Sequence, residues 1–140
     1  MIKRIIATIL IFLSNVIFAA NIYEAKHQID IWEENALQQS QTTADMLSIY
    51  SQSYEKWDKA LNKSYKSLME KISAKDKKLL RESQRKWLIF KDKEFEFMSA
   101  HIQRAGGSLS KIISAQRRVA FIRSRVIELE AYEFIFDSPP

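Results

Sequence analysis

A chain of 140 residues is the size of one domain, and this one holds two glycines, Gly106 and Gly107, two prolines, Pro139 and Pro140, and no cysteine. Those counts exclude a disulfide scaffold, a thiolate nucleophile and a cysteine-bound metal, and they withhold the turn residues that a sheet needs at its hairpins. The formal charge of +5 drops to +3 when residues 1–20 are set aside, which removes Lys3 and Arg4 and no acid; that is too mild a balance for a nucleic-acid partner.

Residues 1–20 read as a secretory signal peptide. Lys3 and Arg4 are a positive start, Ile5 to Leu13 is nearly all aliphatic, and Ala19 and Ala20 are the small residues at which cleavage is expected. The rival reading is an uncleaved anchor, but the apolar run of about sixteen residues falls short of the roughly 20 that span a bilayer. With no cysteine after it, a lipid-modified N-terminus is excluded. A periplasmic or secreted protein is the expectation, and export also argues against nucleic acid.

Residues 21–41 lack a clean period and read as an extended lead-in or a short helix packing across the rest. The bundle domain is expected over 42–131. Thr42-x-x-Asp45 has the form of a capping box, and Met46, Ile49, Tyr50, Trp57, Leu61, Leu68 and Ile72 recur at three or four residues, so a first long helix runs to about Ile72. Ser73-x-x-Asp76 repeats the start signal. A second helix then carries Leu79, Leu80, Trp87, Phe90, Met98 and Ile102 on one side and ends at Gly106-Gly107, because glycine takes the left-handed conformation of a C-cap. A third helix restarts at Ser108 or Ser110 with Leu109, Ile112, Val119, Ile122, Val126 and Leu129, and an aromatic tail, 132–140, folds back onto the bundle. Short connections predict antiparallel neighbours, so the fold class is all-α: a three-helix antiparallel bundle with a long helical hairpin and no disulfides. Oligomeric state is not legible at this level.

Thr42-Thr43-Ala44-Asp45-Met46, Tyr54 and Asp58-x-x-Leu61-Asn62-x-x-Tyr65, followed by Leu80-x-x-Ser83-Gln84-Arg85-x-Trp87, Gly106-Gly107-Ser108 and Arg125-x-x-Glu128-Leu129, together resemble the LprI-type lysozyme-inhibitor domain family. The resemblance covers about Leu37 to Leu129 and implies a helical exported protein and, for some relatives, lysozyme inhibition. Family members often carry cysteines where this chain has Leu37, Ile49 and Phe95. Apolar residues there suit a buried site in which packing replaces a disulfide.

Individual side chains have two readings each. Asp58 and Asn62, one turn apart, are either a partner-contacting pair or ligands for a neighbouring loop or helix end. Gln84 shares the sector of Trp87, which reads as core, while Arg85 points to solvent. Glu94 and His101, and Gln116 and Arg123, interrupt apolar stripes; a Glu94–Arg123 or Glu94–His101 contact would offset buried charge, or the bundle is open there. No nucleophile or second convergent group accompanies Glu94 and His101, so catalysis is not expected, and two histidines without a ligand cluster predict neither metal nor cofactor. Lys111, Arg118 and Arg125 recur at seven, inside a stretch without acids from Phe97 to Ile127. They form either a docking stripe for an acidic protein, anionic envelope lipid or glycan, or a solvated face. A lysozyme partner, commonly basic, would instead need an acidic patch from Glu94, Glu96, Glu33 or Glu34, or an apolar interface. The leading expectation is thus a binding protein that contacts a protein partner such as lysozyme.

Overall fold

The computed structural model describes residues 26–137, so the signal-peptide reading and residues 138–140 lie outside the described residues. Four helices, rather than three, account for almost all of the described chain: α1 (Gln28–Gln38), α2 (Thr43–Lys71), α3 (Ala74–Ala105) and α4 (Ser108–Asp137). The added helix lies within the irregular lead-in. Its start is set by His27, whose Nδ1 accepts a hydrogen bond from the Ile29 amide at 3.1 Å while the Asp30 carboxylate accepts from the His27 amide at 3.0 Å. That exchange satisfies two amides that helix formation leaves without partners. No residue of α1 is fully buried; Ile29 and Leu37 lean on the core from one side.

The expected caps of the long helices are present. Thr42 Oγ1 accepts from the Asp45 amide at 3.1 Å, and Asp45 accepts in return from the Thr42 amide at 2.9 Å. Ile72 and Ser73, both extended, turn the chain between α2 and α3, and Ser73 Oγ caps α3 through the Asp76 amide at 3.2 Å. Gly106 and Gly107 have φ of 66° and 79°, and no atom lies within 4 Å of a Cβ built on either. Glycine is therefore required there by backbone conformation and not by crowding. The aromatic stretch from Tyr132 does not fold back as a separate tail, since α4 simply continues through it to Asp137.

The dominant packing is between α2 and α4, not between the two helices of the expected long hairpin. They run in the same direction: Ser64 donates to Glu130 at 3.3 Å and Ser67 to Glu133 at 2.6 Å, each 66 positions apart, while Leu47 and Tyr50 of α2 meet Ala115 and Arg118 near the other end. Two up-strokes joined by the down-stroke α3 must be parallel, so the antiparallel expectation holds for consecutive helices only. The cause of the closeness is side-chain size. The inward positions of α2 alternate bulk with small residues, Tyr50, Ser53, Trp57, Leu61, Ser64 and Leu68, all buried. Val119, Ile122, Val126 and Leu129 of α4 pack with them, with Trp57, Ile122, Val126 and Leu129 wholly shielded from water.

Helix α3 sits differently from its expected stripe. Leu80, Trp87, Met98 and Ile102 are half-buried as the spacing predicts, but Leu79 and Phe90 remain 57% and 53% exposed. Gln84 is buried instead. Aromatic bulk holds α3 on the flank of the α2–α4 pair: Phe121 of α4 has the Trp87, Phe90 and Phe95 rings within 5.5–5.8 Å, and Phe95 also reaches Tyr54 of α2 at 6.0 Å. Phe95 thus joins α3 to both α2 and α4 by aromatic packing. Leu109, expected in the core, is 69% exposed at the start of α4. Trp57→Ala is expected to destabilise the fold by about 3–5 kcal/mol in urea unfolding followed by circular dichroism, against less than about 0.5 kcal/mol for exposed Lys59→Ala.

Candidate functional site

Several residues of the recognised motifs turn inward, among them Leu61, Gln84, Arg125 and Leu129. Arg125 is only 6% exposed and donates from Nε to Gln84 Oε1 at 3.0 Å, from Nη1 to Glu128 at 2.6 Å and from Nη2 to Ser83 Oγ at 3.3 Å. Its guanidinium also lies 6.0 Å over the Trp87 ring, and Tyr132 donates to Glu128 at 3.2 Å. A planar five-donor group suits this role, because it ties two helices together while a carboxylate balances its charge. Gln84 and Trp87 therefore stitch α3 to α4, and Arg85 alone in that motif faces solvent.

The seven-residue cationic stripe does not form as a continuous surface. Lys111 is exposed, Arg118 is half-buried with Nη2 donating to Ser99 Oγ at 2.6 Å and its guanidinium 5.0 Å over Phe95, and Arg125 is internal. A seven-residue repeat drifts round a straight helix of 3.6 residues per turn, so successive members rotate from solvent into the α3 contact. Arg123 does not meet Glu94. It forms a bidentate pair with Asp30 of α1, at 2.7 and 2.8 Å, while half-buried Glu94 and exposed His101 stay apart from it. Gln116 is exposed. Asn62 Nδ2 donates to the Asp58 carbonyl at 2.8 Å within α2, so this pair caps neither a loop nor another helix end. Leu61 is core and Tyr65 packs against it.

A second polar cluster, unforeseen from the sequence apart from Arg123, docks α1. Besides Asp30–Arg123, the Ser53 hydroxyl donates to Glu33, His27 tilts against Trp57 with ring centroids 4.6 Å apart, and His27 Nε2 lies 4.0 Å from Glu130. Arg123 also reaches over Trp57 at 5.7 Å. Burial works to raise the Asp30 carboxyl, but the hydrogen bonds and charge of Arg123, with the His27 amide, hold it below the ordinary aspartate value. Burial pushes Glu33 above the ordinary glutamate value despite the Ser53 hydrogen bond, with the Asp30 charge adding to the rise. The local signal for α1 was the Asp30 position three residues after His27; nothing local points to a partner 93 residues away.

Part of the acidic surface is compensated by cations, while among the described residues Glu55, Glu70 and Glu82 are exposed without an ion pair and Glu94 is half-buried without one. Asp30 is held by Arg123, Glu34 pairs with Lys26 at 2.6 Å and Glu96 with Lys93 at 2.7 Å. The surface also offers apolar side chains. Ile89, Phe90 and Phe97 of α3 are 65%, 53% and 65% exposed, with Lys86 and Lys93 between them. A groove between the end of α3 and the start of α4 extends this surface. Among the described residues no cluster of three or more His, Asp or Glu could hold a metal, and no helix is long and apolar enough to cross a membrane.

These features define a cysteine-free helical scaffold whose motif residues fasten its helices while apolar side chains stay in solvent. Residues 34–129 match the family model described as lysozyme inhibitor LprI, and the chain belongs to that family. Neither the curated proteins nor the solved structures contain a match to it. The matched span begins inside α1 and takes in both the Gln84–Arg125 network and the exposed side of α3.

Gln84→Ala is expected to cost about 1–3 kcal/mol in chemical unfolding, because it strips a buried guanidinium of one acceptor. The α1 dock has two opposed pH limbs. Glu33, raised in the fold, favours folding as pH falls from neutrality through its folded value. Asp30, lowered in the fold, contributes stability that is complete above its unfolded value and lost as pH falls through its folded value. Unfolding curves between about pH 7 and about pH 2 should therefore show Glu33→Gln flattening the upper limb and Asp30→Asn flattening the lower one.

Proposed function

We propose that this chain is an exported lysozyme inhibitor that works by protein–protein contact, with the solvent side of α3 as its docking face. The observation that carries the reading is the exposure of Ile89, Phe90 and Phe97 on one helix of a chain in this inhibitor family. Aromatic and aliphatic side chains left in water on a rigid helix are the usual anchors of a protein interface. The acidic alternative loses Glu34 and Glu96, which already have cationic partners, and keeps Glu33 and Glu94, which form no ion pair among the described residues. Docking to a basic lysozyme through α3 would then depend little on salt, because apolar burial is not screened as exposed charge is. No catalytic step enters this reading, as inhibition requires only that the inhibitor occlude its target. The N-terminal pattern of Lys3, Arg4 and an aliphatic run supports export to where lysozyme acts.

Lysis of bacterial cells by added lysozyme provides the test. The protein lacking residues 1–20 should suppress lysis at near-equimolar ratio, with little change as salt is raised. Ile89→Asp should weaken inhibition by on the order of tenfold or more while leaving thermal unfolding unchanged, a loss that one interface anchor can supply. Undiminished lysis across a broad panel of lysozymes would overturn the proposal.

A further inference from the structure

The groove where α3 ends and α4 begins shares only Phe97 with the proposed docking face, and its remaining lining is not used there. Its volume is about 360 Å3, within the lower part of the roughly 300–1,000 Å3 range of small-molecule sites. Phe97, Met98, Ile102 and Ile113 give it an apolar lining, and His101, Ser110, Ser114 and Arg117 contribute its polar groups. Ser114 is unusual among the serines nearby. Ser99, Ser110 and Ser124 each donate back to a carbonyl three or four residues earlier in the chain, as helical serines commonly do. Ser114 Oγ is buried and has no hydrogen-bond partner among the described residues, although its residue lines the groove. A buried hydroxyl without a partner carries a desolvation penalty that a bound acceptor would relieve.

The charge around the groove has one sign. Arg117 is exposed and has no ion-pair or hydrogen-bond partner among the described residues, and Arg104 and Lys111 flank the helix junction. From Phe97 to Ile127 the sequence has no acid. Glu96, the acid just before Phe97, is paired with Lys93. An apolar trough with an unpaired guanidinium at its edge complements a molecule with a hydrocarbon chain and a single anionic head.

We propose that this groove binds one single-chain anionic amphiphile of the fatty-acid class, with the chain along Phe97, Met98, Ile102 and Ile113 and the carboxylate facing Arg117 and Ser114. The proposal does not rest on lysozyme inhibition, and Phe97 is the one groove residue that also belongs to the proposed docking face. A dansyl-labelled undecanoic acid titrated into the protein below its micelle concentration should show saturable binding, one molecule per chain. Laurate should displace it, and lauryl alcohol of the same chain length should compete at least about tenfold more weakly, the discrimination expected when a charge-assisted contact is lost. Arg117→Glu should lower probe affinity by a similar factor. Ile113→Trp, which fills the trough, should abolish binding, and both variants should keep the wild-type melting curve and their inhibition of lysozyme, if present. Laurate and lauryl alcohol competing equally, or Ile113→Trp binding as the wild type does, would refute the site. So would probe uptake that never saturates, or attachment to phosphatidylglycerol vesicles without binding of the monomeric probe, since either result describes an adhesive surface and not a groove.

Discussion

Everything in this molecule leans on the close approach of two parallel helices. Helices α2 and α4 meet across Ser53, Ser64, Trp57, Leu61 and Leu68 on one side and Val119, Ile122, Val126 and Leu129 on the other. Small residues admit the neighbouring backbone, and the wholly buried Trp57 fills the volume left between them. With no cysteine anywhere in the chain, this packing has to hold without a disulfide. Phe95 adds to it by joining Tyr54 and Phe121 in one aromatic cluster spanning three helices.

Polar side chains then decide how the remaining helices attach. Helix α1 contributes no fully buried residue, so its position follows from Asp30–Arg123, from Glu33 and Ser53, and from His27 against Trp57. Helix α3 is fastened by the guanidinium of Arg125 between Gln84, Ser83 and Glu128. Directional contacts of this kind add less net stability than apolar burial but fix register, because leaving one of their members unpaired inside the protein is costly. Arg123 and Arg125, both from the acid-free part of α4, thus serve as attachments between helices, which takes them out of the cationic surface.

The bounds of α2 and α3 and the start of α4 were legible in the sequence to within a residue or two, for reasons that are local, while the bounds of α1 and the end of α4 were not. Thr42 with Asp45, Ser73 with Asp76, and the Gly106-Gly107 pair each carry their own backbone hydrogen bonds or dihedral angles. Which face of α3 turns inward was legible only in part. Periodicity placed Leu79 and Phe90 with the core, yet the Gln84–Arg125 contact and the Phe95 cluster rotate the helix and leave both exposed. The same applies to Arg123, for which Glu94 was a plausible partner by stripe and Asp30 is the actual one, on a helix that the irregular lead-in concealed. The family could be read from motif order and spacing, and so could the inward sector of Gln84 and Trp87, whereas the partner that Gln84 holds there, Arg125, read as part of a cationic stripe, could not.

The lateral position of α3 has an evolutionary consequence. Because Ile89 and Phe97 are each 65% exposed, substitutions there alter little of what keeps the chain folded, and exchanges at such sites typically shift stability by no more than about 0.5 kcal/mol. Selection can therefore revise this side of the protein one residue at a time without compensating changes in the α2–α4 core. Lineages descending from a common ancestor can diverge quickly along α3 while their capping boxes and arginine fasteners stay constant, leaving a slowly changing chassis beneath a fast-changing contact strip.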